Sequence, residues 1–292
     1  MKHLAMSVLN LIKHNKEGSF ATHKNRQERL IQAMNELANL NYQIKDVRQL
    51  RSKHVTALVE YWKSKGLSAG TIKNRMSDLR WLAAKINKQN IVERSNSSYG
   101  IENRKYVDNY SNKSKTLSIG DLERLNNEFL KLSLKLQAEF GLRREESMKF
   151  QPKFADRETK IRLKASWCKG GREREIPITK QSQRDLLNEI HEFCRRNGTK
   201  SLIPADKKYV QQLKAYEYAM EKEGFLKNHG YRHAYAQQRY FELTGRLSPK
   251  QGGKTSRMLS ESEKLLDLAA RLQISQELGH NREEITAVYL GR

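Results

Sequence analysis

The sequence predicts a mainly α protein with a small antiparallel β-sheet, organised as a helical N-terminal domain followed by a mixed α/β domain. Three observations carry that expectation. Only four prolines occur, at 152, 177, 204 and 249, so the first 151 positions lack the strongest helix breaker. Apolar residues in that stretch recur at intervals of three and four. Residues 161–167 instead alternate apolar and polar, and Gly170-Gly171 with the returning residues 175–178 completes a hairpin.

The elements follow in order. Residues 1–12 form a short apolar stretch with no signal-peptide cleavage pattern after it. A helix is expected over 21–40, with Leu30, Ile31, Met34, Leu37 and Leu40 at helical spacing. A second, over 52–65, places Val55, Leu58, Val59 and Trp62 on one side, and Gly66 ends it. Ser68 is the N-cap of a third, which buries Ile72, Met76, Leu79 and then Leu82 or Ala83. Its opposite face shows Lys73, Asn74, Arg80 and Lys85. Residues 87–116 are rich in Asn, Ser, Lys and Tyr and lack periodicity, which marks a connection. The expected domains are therefore 1–95 and 117–292, joined by a linker at 96–116. Ser118 can cap a helix over 119–127, and an apolar helix follows over 128–140. From Lys180 the pattern is again helical, interrupted by a Gly- and Ser-rich stretch at 245–260 that reads as a surface loop.

Lys and Arg number 56 against 33 Asp and Glu, a net charge of +23. Such an excess points to a polyanionic partner, since basic side chains release condensed counterions on reaching phosphates. Residues 1–115 hold 22 basic and 9 acidic residues, and the remainder 34 and 24, so both halves are basic. That distribution suits a clamp gripping double-stranded DNA from two sides, although composition alone leaves a ribosomal or RNA-binding protein open. Two cysteines, Cys168 and Cys194, argue against a disulfide framework and against a cysteine zinc site. No apolar run approaches the ~20 residues of a membrane span. A cytoplasmic location, on the bacterial nucleoid, with no membrane partner and no small-molecule substrate, is the expectation.

Four separated pieces carry the chemistry: Gly141-Leu-Arg-Arg-Glu-Glu146, Lys169-Gly-Gly-Arg-Glu-Arg-Glu-Ile-Pro177, His229-Gly-Tyr-Arg-His233, and Leu278-Gly-His280 followed nine residues later by Tyr289. In this order they resemble the catalytic motifs of the tyrosine recombinases, the phage-integrase and Xer-like family. The segment Gly66-Leu-Ser-Ala-Gly-Thr-Ile-Lys-Asn-Arg75 resembles, more weakly, the family's core-binding domain. Each piece by itself reads as structure: a capping arginine, a turn lysine, a helical i,i+3 pair, a glycine-ended helix and a packing tyrosine. Their joint order and spacing carry the resemblance.

The resemblance implies a C-shaped DNA clamp and assigns Tyr289 as nucleophile. A phenol with a free pKa near 10 needs surroundings that favour its ionisation. Arg143 and Arg232 would hold the scissile phosphate through forked guanidinium donors, which match phosphate oxygens and do not deprotonate. Lys169 would protonate the departing 5′-oxygen, His229 would act as acid and base, and His280 would hydrogen-bond the phosphate. Glu146 would orient the active-site arginine and histidine rather than react. Further DNA contacts are expected at Lys73, Asn74, Arg75 and Arg80, and on the hairpin at Arg172 and Arg174. These positions leave no role for a metal or other cofactor. The family's partners are core sites on double-stranded DNA, in a self-associated tetramer on paired sites or with a partner recombinase.

Three departures stand out. Tyr231 occupies a position where the family usually has leucine, residues 246–262 lengthen one connection, and only three residues follow Tyr289. Many relatives carry a further C-terminal helix that docks on a neighbouring protomer. This motivates an alternative reading, a DNA-binding accessory factor with a recombinase fold that assists a host recombinase. A topoisomerase of the same chemistry is a third.

Overall fold

The computed structural model describes residues 2–104, 107, 111–225 and 227–292. The chain divides into two compact units, Met1–Lys105 and Tyr106–Arg292. The expected linker straddles this division, and residues 105, 106 and 108–110 within it lie outside the described residues.

The first unit is built from α1 (Lys2–His14), α2 (Phe20–Asn39), α3 (Ser52–Ser64) and α4 (Ala69–Lys85). The Ser19 and Ser68 hydroxyls cap α2 and α4 by accepting from the Thr22 and Thr71 backbone N–H groups. Helix α1 forms where the sequence showed only an apolar stretch. Leu4, Val8 and Ile12 recur every four residues and bury themselves against the core made by the other three helices. That core also takes in Ile101, beyond the expected domain end at 95.

One expected DNA contact on α4 is corrected. Arg75 is buried: its Nη1 donates to both Glu36 carboxylate oxygens at 3.0 Å, and its guanidinium stacks 5.0 Å from the Trp62 ring. Trp62 Nε1 completes the cluster by donating to Glu36 Oε2 at 2.7 Å. Arg75 therefore ties α4 to α2 and α3. Asn74 is exposed and accepts from Arg104 at 2.6 Å, while Lys73 donates to Asn103 at 3.1 Å. Arg80 donates to the Glu93 carbonyl and to Asn96, both at 2.9 Å, and fastens the segment after α4.

The second unit comprises α5 (Ile119–Glu123), α6 (Glu128–Phe140), α7 (Arg144–Met148), α8 (Pro152–Ala155), β1 (Lys160–Leu163), β2 (Arg174–Pro177), α9 (Gln181–Arg196), α10 (Tyr209–Lys222), α11 (Gly230–Thr244), α12 (Glu261–Glu277) and α13 (Ala287–Leu290). Ser118 caps α5 as expected, but the helix stops at Glu123 rather than 127, because Asn127 is already the N-cap of α6. The strands pair antiparallel, Ile161 opposite Ile176 and Leu163 opposite Arg174. Strand β1 ends at Leu163, short of the expected 167. Ala165–Trp167 instead makes a 3-10 turn that drops Trp167 onto Phe154. Strand parity then sends Ile161, Leu163, Arg174 and Ile176 to the inner face, all buried.

That inward face corrects a second expectation, since a buried Arg174 is no surface DNA contact. Residues 245–260 also differ from a plain surface loop. Ser248 and Lys250 are buried, and the 3-10 turn Pro249–Gln251 packs against α13. Among the described residues, no helix is long and apolar enough to cross a membrane.

Candidate active site

The site grows from two helix ends. Helix α6 closes on Gly141 at φ +60°, and a Cβ there would stand 2.7 Å from Tyr235 Cδ1, so both backbone conformation and close packing require glycine. Its carbonyl accepts from Arg232 Nη1 at 2.6 Å. Helix α12 closes similarly on Gly279, at φ +69°, with the His280 N–H donating back to the Ser275 carbonyl at 2.7 Å. The Leu278 carbonyl left at this end accepts from Arg143 Nη2 at 3.2 Å and from Arg232 Nη2. Two guanidiniums thus meet at the negative end of one helix.

Glu146 organises the cationic cluster. It is wholly buried, accepts from the Arg143 backbone N–H (2.7 Å) and Nη1 (2.8 Å), and takes a two-pronged pair from Arg174 at 2.9 and 2.7 Å. Burial pushes its carboxyl pKa up, but the bonds and charges of Arg174 and Arg143 outweigh that and bring it to about 2. Arg174 Nε also donates to the Glu277 carbonyl at 2.7 Å, so β2, α7 and α12 are bound together through one buried arginine. Burial lowers the Arg232 pKa, to about 10, and Arg232 remains charged at neutral pH.

Tyr289, on α13, is buried, and its hydroxyl accepts from Arg232 Nε at 3.2 Å. Gln237 Nε2 fixes the backbone there by donating to the Tyr289 carbonyl at 3.0 Å, and Arg271 Nη1 holds the Gly291 carbonyl at 3.0 Å. Three imidazoles surround the phenol ring: His233 at 4.8 Å between centroids, His229 at 6.0 Å and His280 at 6.4 Å. All three have lowered pKa values. Desolvation is the largest cause for each, and nearby positive charge adds to it; His233 and His280 fall to about 4. His229 keeps an exposed edge, but the protein around it and the charges of Arg232 and Arg143 still disfavour its protonation. His280 Nε2 and His233 Nδ1 are buried with no hydrogen-bond partner.

Of the expected catalytic residues, the structure brings Arg143, His229, Arg232, His280 and Tyr289 together, with Glu146 behind them. It does not bring in Lys169, which stands exposed on the hairpin turn, its side chain without a partner among the described residues. Arg172 is exposed nearby and donates to Asn281 at 3.3 Å when that amide is oriented to satisfy both its atoms. Sequence reasoning missed His233, Gln237 and Glu277. For His233 the available signal was its i,i+4 spacing from His229 on one helix. Glu277 accepts from Tyr235 at 2.7 Å and from Arg239 at 2.9 and 3.1 Å, pinning α12 to α11.

In the second unit, guanidiniums and imidazoles thus gather round Tyr289. A phage integrase N-terminal family model matches residues 1–92, and an integrase family model matches residues 112–238. Similar solved structures include a lambda integrase dimer bound to a COC′ core site, 12% identical over 98% of this chain and 76% of that chain, TM-score 0.59. The XerH site-specific recombinase in its post-cleavage complex with palindromic difH is 16% identical over 98% and 80%, TM-score 0.59. The Tn1549 transposon integrase (residues 82–397) with circular intermediate DNA is 13% identical over 99% and 95%, TM-score 0.55. No curated protein sequence matches the chain. This chain belongs to the tyrosine recombinase family, a family of DNA-binding recombination proteins, and has the fold of its core-binding and catalytic domains.

Proposed function

We propose that the protein is a site-specific DNA recombinase of the mobile-element integrase type, with residues 1–95 as core-binding domain, 96–116 as linker and 117–292 as catalytic domain. The observation that carries this is the Tyr289 hydroxyl held on Arg232, beside Arg143 and three neutral imidazoles. The cluster has the charge and the unfilled hydrogen-bonding capacity that a phosphodiester needs. Arg143 and Arg232 bind the non-bridging oxygens, exchanging the Leu278 carbonyl for phosphate, and stabilise the charge of the five-coordinate transition state. His280 Nε2 donates to the same phosphate.

Neutral His229 takes the Tyr289 proton as the phenolic oxygen bonds to phosphorus. The bond to the 5′-oxygen breaks, and Lys169 protonates that oxygen once the hairpin turn carries it to the phosphate. The product is a 3′-phosphotyrosyl bond and a free 5′-hydroxyl. Attack by another 5′-hydroxyl reverses the step without ATP, and two such exchanges on paired core sites proceed through a Holliday junction in a tetramer. The exposed position of Lys169 on a glycine turn supports a residue that moves in with substrate.

The test is a duplex from the flanks of the element encoding the protein, nicked so that cleavage is trapped. The parent chain forms a covalent adduct in EDTA, and Tyr289→Phe forms none. DNA binding without any adduct at Tyr289 overturns the proposal. Recombination that survives Tyr289→Phe beside a host recombinase would instead establish the accessory reading.

A further inference from the structure

Helix α13 is too short to hold itself in place. Its four residues, Ala287–Leu290, make a single turn, so contacts from outside set where Tyr289 stands. Arg271 supplies one from α12, on the Gly291 carbonyl. Gln237 supplies another from α11, on the Tyr289 carbonyl itself, and this contact does not end at α11. Gln237 is buried, and its amide meets that of Asn112 edge to edge. Gln237 Nε2 donates to Asn112 Oδ1 at 2.8 Å, and Asn112 Nδ2 donates to Gln237 Oε1 at 3.3 Å. Asn112 Oδ1 also accepts from the Ser114 backbone N–H at 3.0 Å, closing a turn over its own chain.

These bonds have one direction. A backbone N–H can only donate, so Ser114 requires Asn112 to present its oxygen. That oxygen takes one Gln237 N–H, which leaves the other for the Tyr289 carbonyl. With the Gln237 amide reversed, its oxygen would face the Asn112 oxygen and the Tyr289 carbonyl, both acceptors. The segment that carries Asn112 is itself seated on α11. The Lys115 N–H donates to the Gly230 carbonyl at 3.1 Å. A Cβ at 230 would stand 2.7 Å from the Lys113 carbonyl, so residues 113–115 lie directly on the first turn of α11, next to His229.

We propose that Asn112 and Gln237 are positioning residues for the nucleophile, a pair through which the connection entering the second unit sets the Tyr289 backbone. The proposal rests on the recombinase reading, in which Tyr289 attacks phosphorus. Both residues act through the Tyr289 carbonyl rather than through its hydroxyl, which is held by Arg232. A misplacement of about 1 Å in a reacting group can cost about 100-fold in rate, so one bond to the nucleophile's backbone is enough to matter. The pair also gives the connection a route to Tyr289 that bypasses the arginines of the phosphate site. Asn112 is exposed, so its replacement disturbs little packing and isolates the effect.

The test is the rate of adduct formation by the full chain on the nicked duplex at saturating DNA, per folded molecule, beside DNA affinity measured separately. Gln237→Met keeps the length of the side chain and removes its donor; a loss of about tenfold or more in rate is expected, with affinity parental. Asn112→Ala is expected to lose about fivefold, the worth of one net hydrogen bond. Asn112→Asp keeps the acceptor for Ser114 and Gln237 and is expected to recover most of that rate. Because Asn112 acts only through Gln237, the double variant is expected to match Gln237→Met within about twofold. A parental rate in Gln237→Met overturns the proposal, and so do losses that multiply in the double variant. Loss of affinity at an unchanged saturated rate overturns it too, since the pair then serves DNA binding. A parent chain that binds the duplex and forms no adduct sinks the recombinase reading, and this proposal with it, before any variant is compared.

Discussion

Replacing Glu146 by glutamine removes one charge and nothing of the side chain's shape, and the structure sets the size of the effect. The carboxylate is wholly buried between Arg143 and Arg174, and its pKa falls from an ordinary 4.5 to about 2. That difference corresponds to about 3 kcal/mol of folding stability carried by the ionised form at neutral pH. The cost of breaking a buried ion pair by removing one partner is independently about 3–5 kcal/mol. The folded-state pKa is depressed, so the contribution is fully present above the unfolded value and disappears as pH falls through about 5 to 2. Glu146→Gln is therefore expected to destabilise the second unit by about 3 kcal/mol at pH 7, with a gap from the parent that narrows on acidification. Scanning calorimetry of the full chain, following the transition of that unit at pH 7, 5 and 3, measures it. A gap below about 1 kcal/mol at pH 7, or one that widens in acid, would falsify the ion-pair account.

The remaining predictions concern the imidazoles, one glycine and one arginine. His280, with a pKa near 4, is neutral at pH 7, and binding of a phosphate removes the excess positive potential; imidazole NMR is expected to show its pKa rising on DNA binding, and an unchanged titration refutes its place at the phosphate. Without DNA, the same depression destabilises the fold as pH drops from about 6.5 towards 4, since the unfolded imidazole then binds the extra proton. Gly141→Ala places a methyl 2.7 Å from Tyr235 at φ +60° and is expected to cost about 1–3 kcal/mol while displacing the carbonyl on Arg232; calorimetry at parental stability would contradict this. Arg75→Ala leaves Glu36, 12% exposed at its side chain and still bonded to Trp62, without its cation and is expected to cost about 1.5–3 kcal/mol, while the salt dependence of DNA affinity stays parental. A fall of about one in that slope would restore Arg75 as a phosphate contact.

The contrast between Arg75 and Arg143 shows what the sequence could and could not reveal. Arg143 is the N-cap of α7 and Arg75 lies in the interior of α4, yet both end on a glutamate. Glu146 lies three residues from Arg143, within reach of the capping arrangement that a helix start favours, so the pair was legible locally. Glu36 lies 39 residues from Arg75, and only the packing of α2 on α4 brings it there. Arg174 is an intermediate case. It stands two positions from Ile176, so the alternation that identified the hairpin also turns it inward; reading charge ahead of parity sent it to the surface. Lys169 inverts the problem. Its residue type was visible from the start, but nothing in its own turn fixes what it meets, and in the structure it stands exposed. Under the recombinase reading, a lysine on a glycine turn is a place where DNA is expected to complete the site.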